Sequence, residues 1–219
     1  MKKYIIGLIL VLWGVAPPFQ TVLASDNNIL TPLPLGYIKK GTDGKETIEV
    51  LPYLDLNRKE EVLGIVTGNF AGIPKDGGFG SPSAERKVHR TGIHSLVALR
   101  NLEDMNWHDA MEVAKEIKVV GRQAILPPYT DLMTSVYGPV DKFNATAKIL
   151  RENNINADDL NTCAYWSSTG VQDEPIRHEN YKKDAYKDAA FVLFMGCGGT
   201  PNQSKNSVKS VRLIVDISS

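Results

Sequence analysis

The spacing of apolar residues changes twice along this chain, and those two changes constrain its fold more than any other feature. Up to about residue 99 the apolar residues come in short β-rich runs. Val62, Leu63, Ile65 and Val66 mark one over 62–67, with others at 47–51 and 94–99. After Asn106 the period becomes helical: Trp107, Ala110, Met111, Ala114 and Ile117 share one face, opposite Glu112, Lys115, Glu116 and Lys118. Asn106 is expected to cap this helix, Asp109 to complement its dipole and Gly121 to end it. Pro127-Pro128 opens a shorter helix near 130–137, stopped by Gly138-Pro139. A third, over 140–153, turns Val140, Phe143, Ala147 and Leu150 inward. Strands return at 164–169, 189–195 and 208–217, positioned to pair as a closing three-stranded antiparallel meander. Strands flanking a helical middle define an α+β class.

The first residues carry a different signal. Lys2-Lys3, an apolar run over 4–16 and the small residues of Val22-Leu23-Ala24 are the three parts of a secretory signal peptide. A run of thirteen apolar residues falls short of the roughly 20 that span a bilayer, so cleavage near Ala24 is expected and no membrane span in the mature chain. Residues 25–60 read as a turn-rich lead segment with a first strand, and 61–219 as the domain proper. The product is expected to be exported, whether periplasmic, cell-surface or secreted. Basic and acidic residues balance at 25 each, and losing Lys2 and Lys3 leaves a slight acidic excess. That balance excludes recognition of nucleic acid or anionic membrane by bulk charge.

In an oxidising compartment the two cysteines, Cys163 and Cys197, read first as a disulfide. The alternative is a pair of buried thiols packed as small hydrophobes. If the strands beside them are antiparallel neighbours, the cross-link pairs Trp166 with Phe194 and Ser168 with Val192.

Several separated pieces fit one pattern: Trp107-His108-Asp109-Ala110 opening a helix, Leu126-Pro127 before Asp131-Leu132, 164–169 (Ala-Tyr-Trp-Ser-Ser-Thr), 190–194 (Ala-Phe-Val-Leu-Phe), and Val211-Arg212. In their order and spacing over roughly 62–217 the chain resembles the family of the C-terminal domain of the Legionella collagen-like adhesin. That resemblance implies a C-type-lectin-like fold and an exported bacterial domain. The chain departs from the family at 124–128, where Ala-Ile-Leu-Pro-Pro stands in place of the usual Trp-Arg-Leu-Pro-Thr. On a strand, Trp166 has the bulk of a core residue whose indole N–H then needs an acceptor. Trp107 and Arg212 are likewise read as structural, Arg212 through an internal ion pair or a hydrogen bond to a loop.

Catalytic patterns are thin. No Gly-x-Ser-x-Gly elbow occurs, and no His or Cys spacing suits zinc. His89 and His94, five positions apart, would face opposite ways on one strand. Glu174-Pro175-Ile176 lacks the third oxygen ligand of a calcium-dependent sugar site. Gly196-Cys197-Gly198-Gly199-Thr200 leads toward Pro201 rather than a helix, which argues against a phosphate cradle. The expectation is therefore a non-enzymatic binding module without a cofactor, with an envelope accessory protein and a lectin-fold enzyme as the other readings. The loops 170–188 and 196–207 exceed what a hairpin needs. Tyr181, Lys182 and Tyr186 on the first, with Asn202 and Gln203 on the second, are the candidate contacts to an extracellular or envelope protein or glycan.

Overall fold

The computed structural model describes residues 23–25, 27–68, 94–128, 139–160, 164–171, 187–194 and 202–217. The expected helix near 130–137, both cysteines, and Tyr181, Lys182 and Tyr186 lie outside these residues. The strands are β1 (Leu23–Ser25), β2 (Asn28–Lys40), β3 (Glu46–Asp55), β4 (Val62–Gly68), β5 (His94–Ala98), β6 (Leu102–Met105), β7 (Lys118–Val119), β8 (Arg122–Gln123), β9 (Ala164–Gly170), β10 (Ala189–Phe194), β11 (Asn202–Ser204), β12 (Lys209–Val211) and β13 (Ile214–Asp216). The helices are α1 (Trp107–Glu116) and α2 (Val140–Glu152), with a 3-10 turn at Lys59–Glu61. The chain is α+β, with mostly antiparallel sheets. Among the described residues no helix is long and apolar enough to cross a membrane.

The first sheet runs β1-β2-β4-β5-β13, with β3 on the other flank of β2, and all its pairings are antiparallel. The turn-rich lead segment contains the long strand β2. Thr31, Leu33, Leu35 and Tyr37 are buried at period two. Pro32 and Pro34 are accommodated because the β2–β3 ladder breaks between Leu30 and Leu35, where missing N–H donors leave no ladder bond unmade. Gly36 and Gly64 pair across β2 and β4, and Leu96 lies over both. A Cβ would come within 2.5 Å of Leu96 Cδ1 at Gly36 and 2.9 Å at Gly64.

The second sheet runs β11-β10-β9-β12-β6. Its antiparallel meander is β9-β10-β11, with β11 inside what reads in sequence as a loop. The expected closing strand over 208–217 does not complete that meander. It divides at Arg212-Leu213 into β12, parallel to β9, and β13, which joins β5 in the first sheet. The register expected from a cross-link is also corrected, because Trp166 faces Val192 and Ala164 faces Phe194. This two-residue shift keeps every side chain on its face, so the apolar pattern accepts it. A bulge between Ala190 and Val192 then sets Ala190 against Gly170.

Helix α1 begins as expected, with Asn106 Oδ1 accepting from the Asp109 N–H at 3.0 Å. It ends at Glu116, earlier than Gly121. Gly121 and Val120 have φ of 72° and 50° and form the two-residue turn joining β7 to β8, the geometry of a type I′ hairpin. The Gln123 side-chain amide ends the helix instead, donating to the carbonyls of Ala114 at 2.7 Å and Ile117 at 2.9 Å. One core gathers Tyr37, Ile65, Val97, Phe143, Leu150, Tyr165 and Leu193, and a second gathers Leu96, Ala110, Ala114, Trp166, Val192 and Val211. Adjacent residues Tyr165 and Trp166 enter different cores, so β9 is buried on both faces.

Candidate functional site

Two places on the described surface gather polar and aromatic groups. The first lies where the β9–β10 loop ends, beside the C-terminal end of β11. The β10–β11 register, Ala189 opposite Ser204, continues one step outward, where the Lys205 N–H donates to the Asp188 carbonyl at 2.7 Å. The Lys205 carbonyl accepts from the Trp107 N–H at 2.9 Å. Its ammonium lies 4.3 Å from the Trp107 ring centroid and donates to the Lys187 carbonyl at 3.4 Å. Trp107 is half-buried, its indole N–H donates to the Ser167 carbonyl at 2.8 Å, and His108 meets it edge-on at 5.3 Å. The start of α1, the end of the β9–β10 loop and the C-terminal end of β11 are thus joined at one spot, whereas the β10–β11 loop leaves from the opposite end of those strands.

Asn202 and Gln203, the two described members of the expected ligand-contact set, stand on β11 beside this spot, opposite Phe191 and Ala190. Both are half-buried. They are therefore strand residues, not loop residues as their composition suggests, because β10 supplies a ladder to pair with.

The second place is a shallow cleft of about 540 Å³ lined by Asn101, Arg151, Ala157, Asp158 and Asp159. Its groups hold one another. Arg151 grips the Asp159 carboxylate with two hydrogen bonds of 2.9 and 3.0 Å and donates to the Ala157 carbonyl at 2.8 Å. Asp158 Oδ2 accepts from the Asn101 N–H at 2.9 Å, and the Asp158 N–H donates to Leu99. Asn101 Oδ1 is shielded from solvent and has no partner among the described residues. Sequence reading did not single out this cleft, since its parts come from the turn before β6, the end of α2 and the segment after α2.

Arg212 lies fully buried behind the cleft. One terminal nitrogen donates to the Ala98 carbonyl at 2.8 Å, the other to the carbonyls of Asp158 and Asp159 at 3.2 Å each. Its guanidinium also lies 5.5 Å from the Phe143 ring centroid. Burial draws its pKa below the ordinary arginine value, while Tyr165, Asp158 and Asp159 act in the opposite direction. Its hydrogen bonds go to the end of β5 and to the segment after α2. Trp166 is equally buried and donates its indole N–H to the Met105 carbonyl at 3.0 Å. Among the described residues no three His, Cys, Asp or Glu side chains gather as a metal site would require.

Lys205 is the residue that sequence reasoning missed at the first place. Nothing in its neighbourhood of Ser204, Asn206 and Ser207 marks it out. Compared with models of known families the chain matches none, and compared with curated protein sequences it also matches none.

Proposed function

We propose that this chain is an exported, non-enzymatic binding module with a C-type-lectin-like fold, recognising a protein or glycan through the loops after β9 and β10. The observation that supports this reading is the convergence at Lys205. The foot of the β9–β10 loop, the end of β11 and the start of α1 are hydrogen-bonded into one base, and long loops on a rigid base are where binding residues concentrate. The ion pair and hydrogen bonds that Arg151, Asp158 and Asp159 already make favour a structural part for the second place, where Asn101 Oδ1 stays unpaired among the described residues. In this reading the resemblance to the adhesin domain supplies the fold and surface placement, and the signal-like N-terminus supplies export.

The test is a screen of the exported protein against extracellular matrix proteins and glycans, with intact mass fixing its first residue near Ser25. The Tyr181→Ala/Tyr186→Ala variant is expected to weaken whichever ligand is found at least about fivefold, with its melting temperature unchanged. Undiminished affinity in that variant and in Asn202→Ala/Gln203→Ala would remove the site from these loops. Retention in the periplasm, with capture only of partners from the same cell, would favour an envelope accessory protein.

A further inference from the structure

We propose that Lys205 is a positioning residue, a latch that fixes the end of β11 against the foot of the β9–β10 loop by clamping its ammonium on Trp107. The need for one follows from the sheet. Strand β11 has three residues and pairs only with β10, at the edge of the second sheet among the described residues. Short edge strands with one neighbour fray, and β11 carries the foot of one proposed binding loop. Trp107 and Lys205 bracket it. The Trp107 indole is anchored on β9 through the Ser167 carbonyl, the Lys205 main chain extends the β10–β11 ladder to Asp188, and the Lys205 carbonyl receives the Trp107 N–H. The cation over the ring closes the bracket across all three strands.

The inference rests on the loop reading for its purpose, but its test uses the full chain without ligand, so the two fail separately. Amide hydrogen exchange reports the latch directly, because the Lys205 and Trp107 N–H groups make the bonds it protects. In Lys205→Met, which keeps the stem and loses the charge, both amides are expected to exchange roughly two- to fivefold faster. Amides of β4 and β5 are expected to stay as in the wild type, and Lys205→Arg to restore protection to within about twofold. Three results would overturn the latch: equal protection in Lys205→Met, acceleration shared by β4 and β5, or no rescue by arginine.

Discussion

A guanidinium with no exposed surface must find its solvation inside the protein, and Arg212 finds it in three main-chain carbonyls. Replacing it by methionine leaves the carbonyls of Ala98, Asp158 and Asp159 without that donor. Hydrogen bonds to a charged group contribute about 1.5–3 kcal/mol, so Arg212→Met is expected to lower the urea midpoint. Arg212→Lys should recover only a small part, because one ammonium cannot span carbonyls on two separate segments as the planar fork does. Equal midpoints for wild type and Arg212→Met would refute this account. The sequence does point to a hydrogen bond between Arg212 and a loop. It does not say which one, because its partner Asp158 lies 54 positions away and no local pattern links them.

Among the elements, α1 was the most legible, since both its cap and its apolar face lie within a dozen residues. Asn106→Ala removes the acceptor for the Asp109 N–H and the amide that donates to the Asp109 carboxylate at 2.6 Å. The expected loss is about 1 kcal/mol, read from equilibrium denaturation, with Asn106→Ser close to the wild type. A fully stable alanine variant would mean that packing, not capping, holds the first turn. Strand β2 was hidden because Pro32 and Pro34 signal turns, and only the break in its ladder makes room for them. Strand β11 was hidden by its brevity. The division of the last strand left no trace, because residues 208–217 read as one run, and the crossing at Arg212-Leu213 answers to two separate sheets.

At the scale of the whole molecule, charge enters stability where β2, β3 and the 3-10 turn meet. Arg58 donates to Glu49 at 2.7 Å and to Glu61 at 2.6 Å, and Lys39 donates to Glu49 at 3.0 Å. Hydrogen bonds from Arg58 and then Lys39 hold the Glu49 carboxyl below its ordinary value of 4.5. A carboxylate depressed by folding contributes stability that is complete above that ordinary value and lost as pH falls below it. The wild type should therefore be more stable than Glu49→Gln near neutral pH, with the gap narrowing as the pH falls below that ordinary value. A gap that stays constant across this range in urea titrations would rule out the charge as its cause. The α+β class follows from the two changes of apolar period, whereas the sharing of strands between sheets does not, because it depends on pairings far apart along the chain.

That sharing has a consequence for the timing of folding. Strand β12 fills the position between β9 and β6, and β13 closes onto β5, so both sheets wait for residues made after position 208. While those residues are still inside the ribosome, β5 and β9 each lack a neighbour, and contacts this distant form late. A nascent chain therefore stays open along two seams until synthesis has passed that point. Under the export proposed above, that delay keeps the chain threadable.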